Sequence, residues 1–131
     1  KGNKDYFLEV PSGLYYDDIC SKNIMIDGWK FSWLVDLDYL MKWDFLEAIG
    51  RIMASWYGDE DNQVYVDEIM RLQDLDNQQI NMVKVYAIIT LVERMSEEGM
   101  KFNTNSSWEV DWDEIGNKKD KIMNLFREIK V

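Results

Sequence analysis

The stretch from Ile80 to Val92 constrains the fold more than any other part of the chain. Ile80, Met82, Val83, Val85, Tyr86, Ala87, Ile88, Ile89, Leu91 and Val92 leave almost no polar stripe when wound on a helix. A helix that is apolar nearly all round needs other elements packed about it. The run is interrupted by Asn81 and Lys84 and is shorter than the roughly 20 residues of a membrane span. Asp76 is placed to cap its start, and Gly99 to end it in the left-handed conformation. The spacing therefore predicts a central helix over residues 77–98.

Three further helices are expected around it. Leu37, Met41, Phe45, Ala48, Ile49, Ile52, Met53 and Trp56 recur at three- and four-residue spacing, predicting a helix that ends near Gly58 with Asp36 or Asp38 as its N-cap. Tyr65, Ile69 and Leu72, with Val66 and Met70 beside them, mark a second from about Gln63 to Gln73. Ile122, Leu125, Phe126 and Ile129 mark a last one from about Lys118, and the basic side chains Lys118, Lys119, Lys121, Arg127 and Lys130 read as its solvated face. Ahead of these helices the period is two: Trp29, Phe31, Trp33 and Val35 alternate with Lys30, Ser32 and Leu34, as in a half-buried strand. Asp27-Gly28 accepts the positive φ angles of a tight hairpin turn. Tyr6 to Val10 reads as a further strand closed by a Pro11-Ser12-Gly13 turn. Trp108, Val110 and Trp112 alternate with acids as an edge strand.

The expected fold class is α+β, mainly α: a small N-terminal antiparallel hairpin or sheet followed by a bundle of about four helices around the 77–98 helix. A length of 131 residues with 47% hydrophobic side chains suits a single globular domain over 1–131 that folds without a cofactor.

Most common chemistry is excluded by what the chain lacks. It has no histidine and one cysteine, so a zinc site of the usual nitrogen and sulfur ligands is out of reach, as is hydrolysis by a histidine-activated nucleophile. Cys20 alone cannot form an internal disulfide, which fits a reducing, cytoplasmic setting and an inert buried thiol. No cleavable signal pattern is visible at the start. The seven glycines fall in no phosphate-loop spacing.

Asp59-Glu60-Asp61, Asp74-Leu75-Asp76 and Asp111-Trp112-Asp113 each begin like a calcium-binding EF-hand loop. The first two lack the glycine at position six and have Met70 and Val85 at position twelve. The third has Gly116, but Ile115 and Ile122 stand where ligands are required. Asn105-Ser106-Ser107 is a glycosylation sequon without consequence in the cytoplasm. No enzyme, metal or cofactor is expected.

Charge carries the remaining information. The net charge of -10 is uneven: residues 36–76 hold eleven acidic against three basic side chains, and residues 93–116 seven against two. Two acidic runs stand out, one with Asp59, Glu60, Asp61, Asp67 and Glu68, the other with Glu109, Asp111, Asp113 and Glu114, and neither contains Lys or Arg. A phosphate backbone or an anionic membrane would repel such a surface, whereas a basic protein would be attracted. Aromatic residues sit among these acids, as in interfaces where aromatic anchors are ringed by charge. Direct nucleic-acid and membrane binding are therefore not expected.

The expected function is an acidic inhibitor of the immunity-protein or antitoxin kind, occluding the active site of a basic, nuclease-type toxin. The ten residues expected to carry it are Asp59, Glu60, Asp61, Tyr65, Asp67, Glu68, Glu109, Asp111, Asp113 and Glu114. The alternatives are a phage-encoded DNA mimic acting on a restriction or CRISPR enzyme, and an adaptor whose acidity serves solubility.

Overall fold

The computed structural model describes residues 4–10, 12–16, 21–100 and 108–129. Its chain divides into two compact units, Lys1–Ala48 and Ile49–Val131. The turn at Pro11, Cys20, the sequon at 105–107 and Lys130 lie outside the described residues.

The first unit contains helix α1 (Lys4–Glu9), strands β1 (Gly13–Tyr16), β2 (Ile24–Asp27), β3 (Lys30–Leu34) and β4 (Leu40–Trp43), and the start of helix α2 (Phe45–Trp56). The strands form two separate antiparallel pairs, β1 with β4 and β2 with β3. In the first pair Gly13 lies opposite Trp43 and Tyr16 opposite Leu40. In the second, Ile24 faces Leu34 and Met25 faces Trp33, and a bulge then brings Ile26 opposite Phe31.

Four expectations are corrected here. Tyr6 to Val10 is not a strand; Tyr6 and Phe7 belong to α1, and the Tyr6 hydroxyl donates to Asp44 Oδ2 at 2.8 Å. The stretch from Leu37 to Trp43 is not the start of a helix. Leu37–Tyr39 make only a single 3-10 turn, Asp36 before it (φ 61°, ψ 60°) gives no side-chain cap, and from Leu40 the chain finds its hydrogen bonds on β1. Helix α2 begins only after the buried Asp44, whose Oδ1 accepts from the Leu46 amide at 3.0 Å.

The hairpin turn sits one residue later than Asp27-Gly28, with Gly28 and Trp29 both at positive φ (54° and 64°). The buried face of the hairpin is also inverted. Phe31 and Trp33 are exposed, while Ile24, Ser32 and Leu34 are half-buried. Alternation fixes which residues share a face but not which face is covered.

The second unit is helical, with the rest of α2 followed by α3 (Glu60–Leu72), α4 (Asn77–Ser96) and α5 (Trp112–Glu128). The fold class is thus α+β and mainly α. Met82, Val83, Tyr86, Ala87 and Leu91 of α4 are buried, with Met53 of α2, Val66 of α3 and Leu125 of α5. Helices α2 and α4 meet at Gly50, where a Cβ would lie 2.5 Å from Tyr86 Cβ and 2.9 Å from both Val83 O and Ala87 N. Among the described residues no helix is long and apolar enough to cross a membrane.

Two more corrections concern this unit. Trp108 to Trp112 forms no strand, because the Asp111 carboxylate accepts from the Glu114 amide at 2.9 Å and starts α5 at Trp112, six residues before the expected Lys118. On α3 the covered stripe centres on Val66, leaving Tyr65 and Leu72 exposed.

Candidate functional site

Helix capping determines where the acids of the second unit lie. Asp59 caps α3, its Oδ1 accepting from the Asp61 and Asn62 amides at 3.2 Å and its Oδ2 from Asn62 Nδ2 at 2.8 Å. Asp76 caps α4 in a reciprocal box with Gln79. Asp111 caps α5. Each of the three Asp-x-Asp segments is therefore a helix N-terminus, which accounts for their resemblance to the opening of a calcium loop. The amides around Asp59, with the Lys121 ammonium adding to them, hold its carboxyl below the usual carboxylate range.

An open cleft of about 440 Å³ lies beside this cap. One wall is the end of α2 with Ser55, Tyr57 and Gly58, followed by Asp59. The other is a face of α5, where Glu114, Asn117, Lys121 and Asn124 recur at helical spacing with Asp120 beside them. The two acidic runs, more than forty residues apart in the chain, meet here through Asp59 and Glu114. Three carboxylates (Asp59, Glu114 and Asp120) stand against one ammonium, Lys121. Apart from Gly58, the residues that line it carry polar or charged side chains.

The walls are braced. Tyr57 donates to Glu128 Oε1 at 2.5 Å, and Glu128 also pairs with Lys84 of α4 at 3.1 Å. Partial burial and the Glu128 hydrogen bond push the Tyr57 hydroxyl up to about 12. Burial pushes the Glu128 carboxyl up, but the hydrogen bonds from Tyr57 and Lys84 outweigh it and leave the group below its ordinary value. Lys118 is not part of a solvated basic face: it is buried, bonded to Glu98 at 2.5 Å and paired with Glu114 at 3.4 Å. The Ser55 hydroxyl donates to the Arg51 carbonyl and accepts from Arg94 Nη2, so it is engaged on both sides. The cleft thus holds charge and hydrogen-bonding groups suited to receiving a cationic side chain.

The ten expected site residues divide by what holds them. Asp59 and Asp111 are caps, Glu114 is drawn toward Lys118, and Glu68 forms a two-point pair with Arg71 at 2.6 and 2.7 Å. That pair lowers the Glu68 carboxyl from its ordinary value. Asp67 accepts from Gln63 Nε2 at 3.0 Å. The side chains of Glu60, Asp61 and Asp113 are exposed and make no hydrogen bond or ion pair among the described residues. Tyr65 is 55% exposed on the same face of α3 as Asp61 and Glu68, and its ring meets Trp56 edge-on at 5.4 Å. Glu109 is exposed just ahead of α5 and does not line the cleft.

Sequence reasoning missed Tyr57, Asn117, Asp120, Lys121 and Asn124. The spacing of Glu114, Asn117, Lys121 and Asn124 was available, but starting the last helix at Lys118 cut that face in two.

No group of three or more metal-ligating side chains lies together among the described residues. No family model, no curated protein and no solved structure matches this sequence.

Proposed function

We propose that the chain is a non-catalytic, acidic binding protein of the immunity or antitoxin kind, whose helical unit receives a basic protein such as a nuclease toxin. The observation that carries this reading is the meeting of the two acidic runs at one cleft through Asp59 and Glu114, each next in sequence to exposed carboxylates that make no hydrogen bond or ion pair among the described residues. Nucleases are basic where they hold phosphate, so a rigid acidic surface is attracted to that site and, once bound, excludes the substrate. The caps and the Tyr57–Glu128–Lys84 brace hold the surface rigid, which reduces the ordering cost of association. Tyr65 is an exposed aromatic beside Asp61 and Glu68, the combination favoured at interface hot spots. A cleft where the two runs converge at Asp59 and Glu114 favours an inhibitor matched to a single toxin over a DNA mimic, which needs acids in two extended rows.

The test begins by capturing partners from a lysate of the source cells at low salt and eluting with rising salt. One basic nuclease is expected at stoichiometric yield, its activity blocked by the wild-type chain. Asp61→Lys with Asp67→Lys should slow association by about ten-fold or more and flatten its salt dependence. A captured nuclease that stays active in the complex, or an on-rate indifferent to both substitutions and salt, would overturn the reading.

A further inference from the structure

The β2–β3 hairpin displays a surface that the acidic cleft does not explain. Its register gives it two unlike faces. Ile24 and Leu34 lie opposite one another and are half-buried with Ser32. On the other side Met25 lies opposite Trp33, with Phe31 and Val35 two residues to either side of Trp33. That side is open: Met25 is 50% exposed, Phe31 63% and Trp33 72%.

Trp29 at the tip is 99% exposed and sits at φ 64°, in a turn position that favours glycine or asparagine. A bulky side chain there costs backbone energy and gains nothing from burial within the chain, so hairpin formation does not account for it.

We infer that this face is the interface of a symmetric dimer, with the hairpin of a second copy of the chain as its occupant. Two observations select that occupant. The first is charge: across 24–35 the only ionised side chains are Asp27 and Lys30, which lie opposite one another in the register, so the hairpin is neutral on a chain of net charge -10. A neutral patch has nothing to attract a cationic partner and adds nothing to the repulsion between two copies. The second is area. With an aromatic side chain offering about 150–250 Å², the exposed parts of Trp29, Phe31 and Trp33 with Met25, Ile26 and Val35 come to roughly 700 Å². That exceeds the largest apolar patch of most monomers and approaches the approximately 800 Å² per partner of a standard interface. A two-stranded hairpin is marginal alone, and with only its Ile24–Leu34 face half-buried this one gains from a further layer on the open face. A second hairpin across a two-fold axis supplies that layer to both copies at once.

Sedimentation equilibrium of the full chain from about 1 to 100 μM tests this, alongside Trp33→Asp with Phe31→Asp and, separately, Trp29→Ser. The wild type should sediment at twice its 15.7 kDa mass. The double variant should be monomeric, its dimer at least a hundred-fold weaker, with unchanged far-UV circular dichroism. Trp29→Ser should weaken the dimer about ten-fold. A wild type that remains monomeric at 100 μM overturns the inference, as does a dimer that survives both sets of substitutions. If the monomeric wild type instead co-sediments with neutral phosphatidylcholine vesicles, the face belongs to lipid and the dimer is equally refuted.

Discussion

Replacing Gly50 by alanine should destabilise the protein, although alanine is the better helix former. Gly50 lies inside α2, where Gly→Ala on an open helix face gains about 1 kcal/mol. At this position the new Cβ would meet Tyr86 Cβ at 2.5 Å and the α4 backbone atoms Val83 O and Ala87 N at 2.9 Å. Ordinary non-bonded separations are about 3.5–4.0 Å. Two of the three obstructing atoms are backbone, so no rotamer change relieves them and the helices must move apart by about 1 Å. Overpacking of this kind costs about 1–3 kcal/mol, and backbone obstruction places Gly50 at the upper end. The net loss is then about 2 kcal/mol, or about 6–10 °C in Tm for a chain of this size.

Gly116 is the internal control. It lies inside α5 with nothing within 4 Å of its Cβ position, so Gly116→Ala should stabilise by about 1 kcal/mol. Urea unfolding followed at 222 nm measures both. If Gly50→Ala matched or exceeded the wild type while Gly116→Ala behaved as expected, the close crossing of α2 and α4 would be refuted.

Three other perturbations probe the parts that hold the cleft. Asp111→Ala should cost about 1 kcal/mol, whereas Asp111→Asn, which caps nearly as well, should cost less; equal losses in urea unfolding would contradict the capping role. Lys118→Ala should cost about 3 kcal/mol by leaving the Glu98 carboxylate, with 16% of its side chain exposed, without its cation. Adding Glu98→Ala should recover part of that loss in a double-mutant cycle, and strict additivity would contradict the pairing.

Folding shifts the Tyr57 hydroxyl upward. The protonated hydroxyl is favoured by folding, so its contribution is complete below pH 10, the unfolded value, and is lost as pH rises through about 12. Absorbance titration at 295 nm should show a late tyrosinate step that Tyr57→Phe removes. A Tyr57 that ionised near pH 10 would contradict the brace.

The helical half was legible where local chemistry and tertiary packing agree. The apolar run of α4, its Asp76 cap and the left-handed Gly99 behind it each point to one helix, and it forms as read. The N-terminal half was legible only in part, because its register depends on pairings that no local pattern specifies. Leu37 and Met41 fit a helical stripe extending into α2, but β1 captures Leu40–Trp43 as a strand. The same limit applied to Trp108–Trp112, where alternation suggested a strand and the Asp111 cap made a helix. The acidic residues were evident from composition. Their meeting at Asp59 and Glu114 was not, since it depends on how α5 packs beside the end of α2. Counting charges also could not separate the capping role of Asp59 and Asp111 from the exposure of Asp61 and Asp113.

Hydrogen exchange of the chain with and without its captured basic partner maps where that partner sits. Protection on binding is expected at the start of α3, from Asp59 to Glu68, and along α5 from Trp112 to Asn124. Protection confined to other segments, or none at either helix, would contradict an acidic cleft as the binding site.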